Sequence, residues 1–130
     1  MIKTKGVYVT KSQESVDYAG GNAFKNTSYN GYLFLENGSV VAAFTKNREM
    51  SVRDFKKKNT VAHYKQVDAE TVEMDFYRGT KYNFQALYKL QTSDILINDK
   101  GLEYHFVPVD EAELQAAIEE LDQKASASDD

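Results

Sequence analysis

The sequence contains no cysteine and no tryptophan, and it holds only one proline and two histidines. Without cysteine, disulfide bonds and thiolate metal sites are excluded. Long apolar runs are also missing, because none approaches the ~18 residues that a membrane-spanning helix requires. The positively charged start MIKTKG has no apolar stretch behind it, which is not the pattern of a signal peptide. We expect a soluble chain without a membrane span, located in the cytoplasm, or secreted or periplasmic after removal of a signal peptide.

A large excess of one charge is missing as well, since the formal net charge at pH 7 is −4. Residues 110–130 carry eight acidic side chains against one lysine and therefore have a net charge of −7, whereas the remaining residues have a net charge of +3. Residues 46–58 hold six basic side chains against Glu49 and Asp54. This segment is either an attractive surface for an anionic partner or a solvated loop. The modest total charge argues against nucleic acid as a partner.

What the sequence does contain is a series of short stretches in which apolar residues alternate with polar ones. In residues 81–90, for example, Tyr82, Phe84 and Tyr88 share one face, which is the pattern of a strand with one buried side. Residues 12–28 lack this alternation, and we expect a long loop there with a short extended piece at 15–18. The alternating stretches predict eight strands, at 6–11, 29–36, 39–45, 60–66, 71–77, 81–90, 94–98 and 102–109.

Helical signals follow the third and the last predicted strands. A serine with an acid three residues later predicts a short helix at 51–55. The same capping pattern, with an apolar stripe at helical spacing behind it, predicts an amphipathic helix over 110–123. Residues 124–130 are small, polar and acidic, and we expect a disordered acidic tail. The chain is therefore predicted to form a single domain over 1–123.

Strands that follow one another in hairpins, with turn signals between them, favour a meander that closes on itself. Closure removes the exposed edges that an open sheet of this size would leave. The predicted fold is all-β and mostly antiparallel. It is an eight-stranded up-and-down β-barrel with a C-terminal amphipathic helix.

Short motifs point to a family with this architecture. Gly6-Val7-Tyr8 stands in the first strand, where lipocalins carry Gly-x-Trp, with tyrosine in the tryptophan's place. The hairpin YLFLENGSVV and the helix after the last strand are similar to those of bacterial lipocalin-like domains. On these features the chain resembles the calycins, and among them the small lipocalin-like domains. The resemblance implies a barrel that binds a small apolar molecule, although some calycins are enzymes and some bind haem.

Aromatic side chains on the inward faces form the candidate binding site. An eight-stranded barrel is wide enough either to be filled by side chains or to hold one small ligand, and both alternatives stay open. Buried tyrosine hydroxyls need hydrogen-bond partners, so several of them would make a pocket that is both apolar and hydrogen-bonding. Arg78 or a loop lysine would meet an anionic group. The predicted ligand-binding residues are Met74, Phe76, Arg78, Tyr82, Phe84, Tyr88, Tyr104 and Phe106.

Catalytic motifs are absent from the sequence, which has no Gly-x-Ser-x-Gly, phosphate-binding loop, His-Glu-x-x-His or dinucleotide fingerprint. His63 and His105 lie on separate predicted strands, and two histidines are fewer ligands than a zinc site normally has. We therefore assign no catalytic residue, no metal ligand and no cofactor. Whether the chain is an enzyme stays open, and the missing motifs favour a binding protein.

Two functions compete on these grounds. The first is non-enzymatic binding of a small, partly apolar molecule in the barrel interior. The alternative is a protein-interaction module with a side-chain-filled barrel, for example an immunity or inhibitor protein, acting through its loops or its acidic helix. A calycin-like enzyme is a third alternative. An enclosed void of roughly 300 Å³ or more would favour the first function, and a packed interior would favour the second.

Overall fold

The strands form a closed antiparallel barrel in which each strand pairs with its neighbours in sequence. The computed structural model describes the backbone of residues 1–56 and 58–128, and it leaves the side chains of 11–15, 17, 19, 24 and 120–128 undescribed. Val7 on the first strand lies opposite Val107 on the last, which closes the barrel. The predicted eight-stranded β-barrel is confirmed. Its strands are β1 (Gly6–Ala19), β2 (Asn22–Phe34), β3 (Ser39–Lys46), β4 (Thr60–Asp68), β5 (Thr71–Phe76), β6 (Phe84–Thr92), β7 (Ile95–Ile97) and β8 (Glu103–Pro108).

The predicted loop at 12–28 is wrong, because this segment continues β1 and β2. Pairing of β1 with β8 ends at Val9, and pairing of β2 with β3 ends at Ser28. Beyond these points the two strands run on as a two-stranded ribbon (residues 10–27). Gly20 and Gly21 form its turn with φ angles of 58° and 80°, and a two-residue hairpin turn of this kind requires such positive angles. The sequence of the ribbon is mostly polar on both faces, so it carries no alternation that would indicate strands.

The N-terminal residues cover one end of the barrel, called here the closed end. The backbone N–H of Ile2 donates to Gln66 Oε1 at 2.9 Å, and that of Lys3 donates to the Tyr8 hydroxyl at 2.9 Å. The Tyr8 hydroxyl in turn donates to the backbone oxygen of Ser93 at 2.9 Å. The start of the chain is therefore fixed across the barrel, from β4 to the turn between β6 and β7.

Beside the closed end the barrel interior is filled by side chains. Alternation places Phe34 in the interior and Leu33 on the outside, as expected for a strand. The rings of Tyr8 and Phe34 pack edge to face, with centroids 5.5 Å apart. Met74 and Leu96 are 0% exposed, so no space that a water molecule could enter touches them. This half of the barrel is a packed core.

The outer faces of β1, β2 and β3 are apolar as well, because two helices cover them. The helix α1 (Glu111–Ser128) contributes Leu114 and Ala117, and a short 3-10 helix (Val52–Phe55) contributes Val52 and Phe55. Together they bury an outer patch made of Val7, Leu33, Leu35, Val41 and Ala43.

Both predicted helices are present, with shifted bounds. The short helix covers four of the predicted residues 51–55, and the backbone N–H of Ser51 donates to Asp54 Oδ2 at 2.8 Å, as the capping pattern predicts. The helix α1 runs past the predicted end at residue 123 to Ser128. Residues 129 and 130 of the predicted tail lie outside the described residues. Within the described part of the chain, no helix has both the length and the apolar character needed to cross a membrane.

Gly6 and Gly31 are positions where the fold leaves little room for a side chain. A Cβ at Gly6 would lie 2.3 Å from the backbone oxygen of Val107, and a Cβ at Gly31 would lie 2.3 Å from Met50 Sδ. The backbone oxygen belongs to the strand that closes the barrel, whereas the methionine side chain is flexible. We expect Gly6→Ala to lower the free energy of unfolding by roughly 3 kcal/mol and Gly31→Ala by about 1 kcal/mol, measured by urea denaturation. Equal losses in the two variants would contradict this account of the closure.

Candidate functional site

The candidate site lies at the opposite end of the barrel, called here the open end. Strand alternation places Ala42 and Phe44 of β3 on the interior face with Val40, and places Ala86 of β6 there with Tyr88. Phe44 is 58% exposed and Phe84 is 49% exposed, so the rim of this end is aromatic and accessible. We call the surface at this end the cup. It comprises Tyr32, Ala42, Phe44, Phe76, Phe84, Ala86, Tyr88 and Tyr104.

Tyrosine side chains from β2, β6 and β8 meet at the floor of the cup. The hydroxyl oxygens of Tyr32 and Tyr88 are 3.1 Å apart and share a hydrogen bond. The ring of Tyr32 lies 5.2 Å from that of Tyr104 and 6.0 Å from that of Tyr88, measured between centroids. Because each ring belongs to a different strand, the hydroxyls are held together by closure of the barrel.

Burial controls the ionisation of these tyrosines. Loss of contact with water is the main reason that the pKa of Tyr32 lies well above its ordinary value, and the hydrogen bond with Tyr88 raises this pKa further. Burial also raises the pKa of Tyr104 and the pKa of Tyr88. The floor of the cup is therefore made of neutral hydroxyls, which both donate and accept hydrogen bonds.

The turn between β7 and β8 supplies an amide to this floor. Asn98 Oδ1 accepts hydrogen bonds from the backbone N–H groups of Lys100 and Leu102, both at 2.9 Å. The Asn98 side chain also interacts with the Tyr104 hydroxyl, and this hydrogen bond opposes the effect of burial on the pKa of Tyr104. The two backbone donors hold the Asn98 amide oxygen within the turn.

Five of the eight predicted ligand-binding residues point into the barrel. Tyr88, Tyr104 and Phe76 belong to the cup, and each is 6% exposed. Met74 lies deeper, in the packed half. The Phe106 ring packs against Tyr8 toward the closed end, with centroids 5.1 Å apart. The alternation in β5, β6 and β8 thus indicated the interior faces, without separating the cup from the packed core.

The other predicted residues lie on or beyond the rim. The predicted strand 81–90 begins only at Phe84, whose ring stacks on Phe76 at 4.7 Å. Tyr82 precedes the strand and is 67% exposed, so its predicted inward orientation is wrong. Thr80 Oγ1 accepts from the backbone N–H of Tyr82 at 3.2 Å, which fixes this residue in the turn.

Arg78 is directed away from the cup. Its Nε donates to Asp75 Oδ2 at 2.9 Å, on the outer side of β5. Asn83 and Gln85 donate to the other oxygen of the same carboxylate, at 2.7 and 2.9 Å. Together these donors, with Arg78 the strongest, lower the pKa of Asp75 to about 2. The predicted contact of Arg78 with an anionic ligand is not supported by this position.

Sequence reasoning missed several cup residues, namely Tyr32, Ala42, Phe44 and Ala86. The first three lie in the hairpin of β2 and β3, which is apolar on both faces because the helices cover its outer side. Period-two alternation cannot tell which face of such a hairpin is inside. Once the helices are known to cover the outer face of the hairpin, the alternation of Tyr32 with Leu33 and of Ala42 with Val41 identifies Tyr32 and Ala42 as inward-facing.

The histidines stay outside the cup. His63 lies between Ala62 and Tyr64, which both pack in the interior, and its buried Nδ1 has no hydrogen-bond partner. His105 is exposed beside Glu103, with 4.0 Å between Nε2 and the carboxylate oxygen. Among the residues that the structure describes, no three histidine, aspartate or glutamate side chains form a group suited to a metal ion.

A separate groove of about 630 Å³ lies outside the barrel, between α1 and the closed end. Its apolar floor includes Leu35, Leu114 and Ile118, and its rim carries charged residues of both signs, such as Lys5 and Glu36. Nothing in the chain identifies what would occupy this groove.

The chain is a closed eight-stranded antiparallel barrel with an aromatic surface at one end. No family model matches the sequence, and no curated protein or solved structure matches it either. The architecture is consistent with a lipocalin-like fold, and any functional assignment has to come from the cup itself.

The buried tyrosines predict a loss of stability in alkaline solution. An unfolded tyrosine ionises near pH 10.0, whereas burial raises the pKa of Tyr8 to about 12 in the folded chain. The neutral form is therefore favoured by folding, so the stabilisation is complete below pH 10.0 and is lost as the pH rises toward the folded pKa. Urea midpoints measured across this range will fall, and Tyr8→Phe will make the fall less steep.

The matched control is Tyr18→Phe, because the Tyr18 ring is 78% exposed and lies on the ribbon. This variant should follow the pH dependence of the parent. If Tyr8→Phe and Tyr18→Phe change the pH dependence equally, the account of Tyr8 is wrong.

Proposed function

We propose that the chain is a lipocalin-like binding protein that holds a small, partly apolar molecule in the cup at the open end of its barrel. The observation that carries this proposal is the contact between the Tyr32 and Tyr88 hydroxyls, beside the Tyr104 ring, within an aromatic surface that is still partly exposed. Ligand sites of proteins typically combine apolar walls with a few convergent polar groups.

The distribution of exposure supports a site in the cup over one in the middle of the barrel. Met74 and Leu96 are sealed at 0% exposure, whereas Tyr32, Ala42 and Ala86 remain partly accessible. Ala42 on β3 and Ala86 on β6 are small side chains at the barrel mouth. A ligand in the cup would therefore lie on the packed core without displacing it.

The rim supports the apolar character of the ligand. Phe44 and Phe84 are large apolar side chains that remain about half exposed to water, on two strands that are not neighbours in the barrel. A ligand that covers them removes apolar surface from water, which is worth about 25 cal/mol for each Å². Aromatic rings of a ligand would also stack against these side chains.

A protein-interaction module is the second candidate, favoured by the turn between β5 and β6. Tyr77 and Tyr82 are 46% and 67% exposed there. The turn is held by hydrogen bonds, from Thr80 Oγ1 to the Tyr77 backbone oxygen at 2.7 Å and from Asn83 Nδ2 to the Phe76 backbone oxygen at 2.8 Å. Exposed tyrosines on a fixed turn are typical of interface hot spots. An immunity or inhibitor protein would use such a surface while its barrel stays filled.

Substitutions on one strand separate the two candidates. Ala86→Phe places a ring in the cup, whereas Leu87→Phe places the same ring on the outer face of β6, where Leu87 is 53% exposed. We expect native mass spectrometry to show a bound compound on the parent and on Leu87→Phe after incubation with a mixture of small aromatic compounds. The Ala86→Phe variant will carry none, because its new side chain fills the site.

Circular dichroism establishes that both variants are folded. Equal loading of the folded Ala86→Phe variant would place binding outside the cup. A parent that binds no compound at all would remove the small-molecule proposal and leave the protein-interaction module.

A further inference from the structure

Two asparagines of the chain precede a glycine, and the fold places the two pairs in different surroundings. Asn30-Gly31 lies within β2, whereas Asn37-Gly38 lies in the turn between β2 and β3. An asparagine before a glycine is chemically labile, because the backbone nitrogen of the glycine can attack the side-chain amide and the glycine has no side chain to hinder the approach. The same reactive dipeptide therefore occurs once in a strand and once in a turn.

The Asn30-Gly31 pair is held on both sides by strand pairing. Asn30 lies opposite Thr10 on β1 and opposite Phe44 on β3. Gly31 is buried, and a Cβ built on it would lie 2.3 Å from Met50 Sδ. For the attack, the peptide group between residues 30 and 31 has to rotate out of the extended backbone. Because this rotation breaks the pairing with two neighbouring strands, the reaction at Asn30 requires the hairpin to unfold.

The Asn37-Gly38 pair lies outside the strand pairing. Asn37 is exposed, and Gly38 has a φ angle of 92°. The turn is closed by the backbone N–H of Leu35, which donates to the Ser39 oxygen at 2.9 Å. The attacking group, the Gly38 N–H, donates to the backbone oxygen of Leu35 at 3.0 Å. Opening a turn hydrogen bond beside solvent costs far less than opening a paired strand, so this nitrogen becomes available while the barrel stays folded.

The side-chain amide of Asn37 is held close to the attacking nitrogen. Its Oδ1 accepts from the backbone N–H of Ser39 at 2.9 Å. This hydrogen bond closes a ring of atoms that contains both the Cγ of Asn37 and the Gly38 nitrogen. Attack on Cγ moves negative charge onto Oδ1, and a backbone N–H that already faces this oxygen stabilises the charge. The turn therefore both positions the amide and activates it.

We infer that Asn37 is a site of self-modification, at which the folded chain converts this asparagine to aspartate and isoaspartate. The Gly38 nitrogen forms a bond to the Cγ of Asn37 and gives up its proton. The bond from Cγ to the side-chain nitrogen breaks, and this nitrogen leaves as ammonia with the proton. The cyclic imide then adds one water molecule. Water at Cγ restores the ordinary backbone as aspartate, whereas water at the main-chain carbonyl carbon gives isoaspartate.

The isoaspartate product changes the turn, because its backbone runs through the former side chain and is one methylene longer. The turn is bound to β4 by two hydrogen bonds. The backbone N–H of Tyr64 donates to the Gly38 oxygen at 2.9 Å, and the Tyr64 hydroxyl donates to the Leu35 oxygen at 2.8 Å. These acceptors lie on either side of residue 37, so a longer backbone between them disturbs the attachment. Both products also add a negative charge beside Glu36, on the rim of the groove next to α1.

Peptide mapping after incubation of the folded chain in mildly alkaline buffer tests the inference. Trypsin releases both asparagines in one peptide, residues 26–46, and fragmentation by electron transfer locates each change and separates isoaspartate from aspartate. We expect conversion at Asn37 to exceed conversion at Asn30 by at least about tenfold, because a turn opens more often than a paired strand. When the incubation is done in water labelled with heavy oxygen, residue 37 should gain one labelled atom, which distinguishes this reaction from conversion during digestion.

Incubation in urea supplies the control for the role of the fold. The unfolded chain should convert Asn30 and Asn37 at similar rates, since strand pairing no longer protects Asn30. Asn37→Gln should remove the reaction at residue 37 in the folded chain, because the longer side chain has to close a larger ring. Conversion of Asn37 in urea without conversion in the folded chain would overturn the inference, since the turn would then protect the pair. Equal conversion of the two asparagines in the folded chain would show that the fold does not select the site.

The variant Asn37→Asp separates the effect of the charge from that of the backbone. It carries the same added charge as the isoaspartate product but has an ordinary backbone. We expect the isoaspartate form, isolated by ion-exchange chromatography, to unfold at a lower urea concentration than Asn37→Asp. Equal urea midpoints would contradict the effect assigned to the added methylene.

Discussion

The pairing of β1 with β8 is the constraint on which the rest of the structure depends. This pairing brings Val7 opposite Val107 and Tyr8 opposite Phe106, and it leaves no side chain at Gly6, where a Cβ would meet the Val107 backbone oxygen. A twisted sheet of short strands leaves two unpaired edges unless it closes. Closure also creates an inside, so the tyrosines of β2, β6 and β8 can meet although they are far apart in sequence.

The two ends of the closed barrel differ in how tightly their side chains are packed. At one end the N-terminal residues, Tyr8 and Phe34 seal a core whose members are hidden from water. At the other end, alanines on β3 and β6 and a partly exposed Tyr32 replace the larger side chains. The packed half supplies stability, and the hydroxyl-bearing half has the polar and aromatic groups suited to recognition.

The sequence pattern predicts the barrel well because most strands have one solvent-exposed face and one buried face. In β5, the alternation of Val72, Met74 and Phe76 with charged residues identifies the interior directly.

Two segments lack this contrast. The ribbon is polar on both faces and was predicted as a loop, and the hairpin of β2 and β3 is apolar on both faces, which concealed Tyr32. Tyr82 was misplaced because hydrogen bonds within the turn, not alternation, decide where β6 begins.

The position of α1 after the last strand has a consequence for biosynthesis. The outer patch on β1, β2 and β3 is synthesised before Leu114 and Ala117, which cover it and follow all eight strands of the barrel. The first strand must also wait for β8 before it gains its second neighbour. Contacts between such distant parts of a chain form slowly. An apolar surface that stays exposed until they form promotes aggregation. The nascent polypeptide therefore exposes two apolar surfaces until β8 and α1 have been made.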